Sequence, residues 1–281
     1  MRWVIGDIHG MLRPLQTLLE AVRARDPAPR LIFAGDYVNR GPDARSVIDL
    51  LLSLPNAAFI RGNHDDIFDE ILHGEYYADN ATRGDRTAAF SWFMKYGMDR
   101  TFLSYGADFG YLQRLAVNPT IDGLDRLAAW VPASHRQFIR NLPPAYEEED
   151  FFVVHGKWDP DEPDRKPGVS ERLADHPHYR HRLLWGRFTD EEVDRPKAWE
   201  RTGIFGHTPV SNYRAAHRPL AMAQMTQGND GARRGPLMVP VMGERMVLLD
   251  TAAALGTDGR LTAYCVDDET HLQADHFGRP I

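Results

Sequence analysis

Six side chains able to bind a metal stand in short glycine-flanked motifs spread along the chain. They are Asp7 and His9 in GDIHG, Asp36 in AGDYVNRGP, Asn63 in RGNHD, His155 in VVHG and His207 in FGHTP. The set offers oxygen and imidazole but no thiolate, a mixture that suits Mn²⁺, Fe²⁺ or Zn²⁺ better than calcium or an iron–sulfur cluster. Two divalent metal ions are expected, Mn²⁺ foremost, with Fe or Zn as alternatives. Asp36 has two oxygens and a central place in the order, so it is the natural bridge. Two ions about 3.5–4 Å apart can share a water, lower its pKa and present hydroxide to an electrophile. A lone histidine after a strand is more often a hydrogen-bonded core residue; the argument rests on the motifs together.

Such donors need an architecture that gathers them. RWVIGD, RLIFAGD and AAFIRGNHD read as buried strands, and LRPLQTLLEAVRAR and DARSVIDLLLSL as amphipathic helices between them. This βαβαβ order implies a parallel sheet with helical crossovers. The carboxyl ends of parallel strands share one edge, which brings Asp7, His9, Asp36, Asn63 and His64 together. Residues 69–141 read as a helical insertion, carried by TAAFSWFMKYG, GLDRLAAWV and SHRQFIRNL, with SYGADFGYL a loop leading into a short helix. Strands resume at EDFFVVHG and TGIFGH. RMVLLDTA, RLTAYCV and HLQADHF read as antiparallel strands, and QGNDGARRG as a polar loop. The expected fold class is therefore α/β (α+β). One sheet from the first half packs on one from the second, in a single domain over 1–281.

Composition narrows the function classes. The 281 residues, 43% hydrophobic, describe a folded globular chain. A formal net charge of −7 leaves no basic excess for duplex nucleic acid. The single cysteine, Cys265, excludes an internal disulfide framework and reads as a packed thiol in LTAYCVD. No apolar run approaches the roughly 20 residues of a membrane span, and no leader precedes RWVIGDIHG, so a cytoplasmic protein is expected. Oligomeric state is left open.

GDIHG, GDYVNRG, RGNHD, VVHG and GHT occur in the order found in calcineurin-like metallophosphoesterases, which the chain resembles along nearly its whole length. More narrowly it resembles bacterial serine/threonine protein phosphatases of the PPP type, through SYG at Ser104–Gly106, LLWGR at Leu183–Arg187 and LLDTAAALGTDGRLTA. The resemblance implies a double β-sandwich of two mixed sheets flanked by helices. It implies that Asp7, His9 and Asp36 hold one metal, and that Asp36, Asn63, His155 and His207 hold the other. Arg40 and Arg61 would grip phosphate oxygens, with Arg187 a further candidate. A metal-bridging hydroxide would attack phosphorus in line, and His64 would be the general acid.

Two departures from that family bear on chemistry. Where the phosphatases usually carry Asp, this chain has Asn39, which is expected to accept a hydrogen bond from His64 and orient it without raising its pKa. The expected result is a lower His64 pKa and a downward shift of the acid limb of the rate profile. Asp65 in GNHD, where eukaryotic protein phosphatases usually carry Glu, resembles symmetrical diadenosine tetraphosphatases. Lys157 in HGKWDPD is read as facing solvent more readily than substrate. The histidines of DHPHYRH, His176 to His181, read as a surface loop or lid. Of the insertion's aromatics, Tyr76, Tyr77, Phe90, Trp92 and Phe93 could stack bases, although helical spacing favours core packing. The first function is hydrolysis of phosphate monoesters, as a phosphoserine/phosphothreonine protein phosphatase. The alternatives are a symmetrical dinucleoside polyphosphate hydrolase and a non-catalytic phosphate-binding scaffold. The partner is accordingly a phosphorylated protein or a nucleotide.

Overall fold

The computed structural model describes residues 1–73, 85–160, 179–217 and 237–281. Tyr76, Tyr77, the QGNDGARRG loop, and His176 and His178 of DHPHYRH lie outside these. The chain opens with β1 (Arg2–Ile5), α1 (Leu12–Arg25), β2 (Arg30–Phe33), α2 (Ala44–Leu52), β3 (Ala57–Phe59) and α3 (Asn63–His73). In α1 the buried residues Leu15, Leu18, Leu19 and Val22 recur at helical spacing, forming the stripe that packs on the first sheet. Helices α4 (Arg86–Met94), α5 (Met98–Ser104), α6 (Phe109–Val117), α7 (Ile121–Ala128) and α8 (Ala133–Arg140) follow. Thr120 and Asp108 accept backbone N–H bonds as N-caps of α7 and α6, which fixes where those helices begin. The second half holds β4 (Ala145–Glu147), β5 (Phe151–Val154), α9 (Tyr179–Trp185), α10 (Asp190–Asp194), β6 (Thr202–Phe205), β7 (Val241–Met242), β8 (Met246–Leu248), β9 (Arg260–Cys265) and β10 (His271–Asp275).

Two five-stranded mixed sheets result, ordered β10-β9-β1-β2-β3 and β4-β5-β6-β8-β7. Alternation along the strands divides three apolar layers. Val4, Ile32, Phe151, Val153, Ile204, Val247 and Tyr264 meet between the sheets. Trp3, Ile5, Leu31 and Phe33 face α1, α2 and the helices of the middle segment. Phe152, Val154, Phe205 and Leu248 pack outward against Trp158, Leu183, Phe188 and Trp199. Because each central strand is covered on both faces, its sequence reads as a continuous apolar run.

The assignment of sheets to halves of the sequence needs correction. The first sheet is completed by the C-terminal hairpin, with β9 antiparallel to β1. Of the three strands read as antiparallel, β8 instead runs parallel to β6. Strands β1, β2 and β3 are parallel in one sheet, and β5, β6 and β8 in the other. Their carboxyl ends meet where a Cβ on Gly6 would lie 2.6 Å from the Leu249 carbonyl. The site is built at that meeting. No helix among the described residues is long and apolar enough to cross a membrane.

Candidate metal centre

Each donor enters from the loop after a strand: Asp7 and His9 from β1, Asp36 from β2, Asn63 and His64 from β3 and the start of α3, His155 from β5 and His207 from β6. The loops are tightly held. Among the described residues, eight non-glycine residues have positive φ, and His9, Asp36, Asn39, Arg40 and His207 are five of them. Left-handed backbone at such positions is costly, and persists where surrounding structure overdetermines it. Here the clamps are His9 N and Ile8 N donating to the Asp36 carbonyl, and Gly41 N donating to His9 O.

Asp36 faces both ways. Its Oδ2 lies 3.3 Å from His9 Nε2, and its Oδ1 lies 3.3 Å from His155 Nε2. Asn63 Oδ1 is 3.0 Å from His155 Nε2 and 2.8 Å from His207 Nδ1. The ligand atoms of Asp7, Asp36 and His155 lie within 4.8 Å of one another, as do those of His9, Asp36 and His64. Asp7 thus groups at this distance with His155, whereas the family pattern had put it with His9. His9 Nδ1 sits 3.0 Å from the Val38 carbonyl and His155 Nδ1 2.8 Å from the Ala34 carbonyl. A carbonyl can only accept, so both rings carry a proton on Nδ1 and turn Nε2 inward, the arrangement that prepares imidazole for a metal.

Unsatisfied atoms test the fit to divalent ions. Asp7 Oδ1, His9 Nε2, His207 Nε2 and Asp250 Oδ2 are buried without a hydrogen-bond partner. Buried polar atoms left so are expensive, and a cation is the group that would satisfy carboxylate and imidazole together. Space is also kept for them: a Cβ on Gly206 would collide with Asp7 Oδ1, and one on Gly62 with Asp36 Oδ1. The charges agree. Burial, and then the charge of Asp250, push the Asp7 carboxyl well above its ordinary value. For His155, burial is outweighed by the carboxylates of Asp36 and Asp7, which push its pKa up to about 10. The cluster attracts positive charge. The donor set fits two divalent cations, which Asp7, His9, Asp36, Asn63, His155 and His207 would hold.

His64 is 3% exposed and stands edge-on to His9, with ring centroids 4.7 Å apart. Its relation to Asn39 reverses the sequence expectation. The Asn39 oxygen receives the Thr101 hydroxyl at 2.8 Å, and Thr101 in turn accepts the Asn39 backbone N–H. That turns the amide nitrogen, not the oxygen, to His64 Nδ1 at 2.9 Å. An amide nitrogen donates, so the neutral ring must accept at Nδ1 and carry its proton on Nε2. Burial, with the charges of Arg40 and His155, outweighs the attraction of Asp36 and holds the ring pKa at about 4.

The arginines separate. Arg40 Nη2 lies 3.5 Å from His64 Nε2, on a loop pinned by Arg40 N donating to Tyr96 O and by Arg100 donating to Arg40 O. Arg187 is exposed and donates to Thr208 Oγ1 at 3.3 Å, beside His207. Arg61 does not reach the site. It is fully buried, its Nη1 donating to Asp66 at 3.1 Å and Asp69 at 2.9 Å, its Nη2 to the Ile139 and Arg140 carbonyls, and its Nε to the Leu142 carbonyl. A desolvated guanidinium needs carboxylates, and α3 supplies two, so Arg61 clamps α3 to the end of α8 instead of gripping phosphate. Lys157 is also corrected: it is 9% exposed and paired with Glu192.

Asp250 and Thr101 were missed, and Asp65 was read only as bearing on substrate. Asp65 accepts the N–H groups of Asp36, Tyr37 and Gly62 at 2.7, 2.9 and 3.0 Å, and so shapes the loop that presents Asp36. Asp250 follows β8 and is 1% exposed, at the same edge as the other donors. Its signal was the ending VLLD, a strand closing on an acid as RLIFAGD does; the wrong strand direction hid it. Thr101 carried no local signal at all.

The model of the calcineurin-like phosphoesterases matches residues 2–211. A symmetrical bis(5'-nucleosyl)-tetraphosphatase of Coxiella burnetii (strain Dugway 5J108-111) is 44% identical over 63 residues, 22% of each chain. The protein of the same name from Marinomonas sp. (strain MWYL1) is 35% identical over 98 residues, 32% of this chain and 36% of that one. The chain thus matches about a fifth to a third of the length of these relatives. Among solved structures, a putative diadenosine tetraphosphatase superposes with TM-score 0.50 at 19% identity, covering 98% of this chain and 92% of the other. A cold-active protein tyrosine phosphatase gives 0.53 at 15% identity, with 100% and 77% covered. These last two establish likeness of fold. With the family pattern spanning three quarters of its length and two mixed sheets meeting at a His/Asp cluster, the chain belongs to the calcineurin-like phosphoesterases.

Proposed function

We propose that this phosphohydrolase cleaves a phosphoanhydride of a nucleoside polyphosphate, a dinucleoside tetraphosphate foremost, giving two nucleoside diphosphates. When bound, two divalent ions would supply Lewis acidity toward phosphoryl oxygens and acidify water. Asp7, His9, Asp36, Asn63, His155 and His207 would hold them. Arg40 would neutralise charge on the transferred group, and Arg187, from the rim, would reach the adjoining phosphate.

The observation that carries the choice of substrate is Asn39 Nδ2 on His64 Nδ1. A serine or threonine alkoxide leaves as a strong base and calls for a cationic acid beside it. A phosphate leaving group has a pKa of about 6 and departs without one. His64, held neutral with its proton on Nε2, is suited to donating a hydrogen bond to a phosphate oxygen and poorly suited to protonating an alkoxide. The name shared by the relatives from Coxiella burnetii and Marinomonas, symmetrical bis(5'-nucleosyl)-tetraphosphatase, agrees with this reading.

The phosphoserine/phosphothreonine reading stands second, favoured by the resemblance in SYG and LLWGR. Metal-stripped protein reloaded with Mn²⁺ and offered diadenosine tetraphosphate or a phosphothreonine peptide separates the two. A kcat/KM at least about tenfold higher for the dinucleotide is expected; preference for the peptide reverses the order.

A further inference from the structure

An aromatic rim runs from His64 to His207 across the mouth of the centre. Phe93 and Tyr96 stand 5.1 and 6.1 Å from His64, ring to ring, and Trp185 stands 6.2 Å from His207. Trp92 closes the arc: its ring is edge-on to Tyr96 at 5.8 Å and nearly parallel to Trp185, 5.9 Å away with 20° between planes. Phe90 and Phe93 of the same helix are buried, as helical spacing required, but Trp92 is 43% exposed and Tyr96 36%. Lys95 lies between them, its ammonium 5.1 Å from the Trp92 ring centre and 4.9 Å from that of Tyr96. Two large exposed aromatics flanking a cation, joined by ring contacts to both ends of a metal centre, are dear to keep in water. They match a flat base that follows a chain of phosphates.

We propose that Trp92 and Tyr96, backed by Trp185, form a stacking platform for one nucleobase of the substrate, with Lys95 taking an oxygen of the adjoining phosphate. The proposal rests on the nucleoside polyphosphate reading and adds to it a position for the base. Stacking accepts any base, so the platform selects for the presence of a nucleoside and not for its identity.

Calorimetric titration of the Mn²⁺-loaded protein tests it, with a diadenosine tetraphosphate bridged by methylene at the central linkage and with inorganic tripolyphosphate as the base-free probe. Trp92→Ala should weaken the dinucleotide analogue about tenfold and leave tripolyphosphate unchanged. Trp92→Phe should recover most of the loss. Unchanged tripolyphosphate binding also shows that the variant is folded. Equal weakening of both probes, or of neither, overturns the platform. So does a wild-type protein that binds the analogue no tighter than tripolyphosphate. If the peptide is the better substrate while base-dependent binding through Trp92 persists, the reading of the reaction fails and the platform stands.

Discussion

The two ends of β1 carry opposite solutions to the same electrostatic problem. At its start, Arg2 meets Asp150 at 2.7 Å, Glu148 at 3.0 Å and Asp267 at 2.7 Å. Just past its end, Asp7 meets Asp36 and, from β8, Asp250, all within 2% of full burial. The first acidic cluster has its cation built into the chain and lies partly in water. The second is buried and holds carboxylate oxygens with no hydrogen-bond partner. Arg61 with Asp66 and Asp69 repeats the first solution in the interior. The difference teaches that a guanidinium is used where the task is to hold, whereas the buried cluster pairs its carboxylates with His155, an imidazole that can give up a proton to an incoming ion.

The contrast breaks most sharply at Asp36. Asp36→Asn should lower kcat/KM about 10³-fold or more, since each factor of ten is about 1.4 kcal/mol and a bridging ligand commands several. Elemental analysis should find fewer ions per chain. Wild-type turnover would remove the bridge. At the built-in cation, Arg61→Ala should cost about 3 kcal/mol of stability by taking the guanidinium from two buried carboxylates, of which Asp69 keeps His73 and Asp66 keeps Arg180. Denaturant unfolding reads that loss, and turnover per folded molecule should stay near wild type.

Asn39→Asp sharpens the comparison from the side of the reaction. A carboxylate on His64 Nδ1 favours imidazolium and raises the ring pKa from about 4. A general acid works while protonated, so its contribution is lost as pH rises through that pKa; the variant should keep it to higher pH. Turnover of the phosphothreonine peptide should rise, on the order of 10²-fold, with little change for the dinucleotide. An unchanged pH–rate profile ends the pairing argument. Arg2→Ala should have the smallest effect, about 1 kcal/mol, diminishing with salt. The arginine's hydrogen bonds hold Asp150 below its ordinary value, and against burial do the same for Asp267. That stability is present above the unfolded carboxylate value and is lost as pH falls. The gap in Tm between variant and wild type should therefore close below about pH 4.

What the sequence made legible was set by locality. The six donors and His64 could be seen to converge because they follow five strands, each by no more than five residues. Residues defined by distant partners could not be read. Arg61 looked like a phosphate ligand because RGNHD matches the family motif, whereas its fate is decided by Asp66 and Asp69 on the next helix and by carbonyls near residue 140. The orientation of the Asn39 amide is decided by Thr101, 62 residues away. Asp250 was lost with the direction of β8, which only pairing with β6 fixes. Helical spacing in the insertion rightly foretold burial of Phe90 and Phe93 and wrongly that of Trp92, which is 43% exposed because it lies off the stripe those two define.

The place of β1 has a consequence for how the protein is made. It lies between β2, its neighbour in sequence, and β9, more than 250 residues downstream. Chain emerging from a ribosome can pair β1 with β2 early, but the sheet edge beyond β1 stays open until β9 has been made. Asp250 arrives equally late. Loading of ions would therefore wait on segments made long after Asp7: on His207 for the last of the six donors, and on β9 for the sheet that holds the first of them.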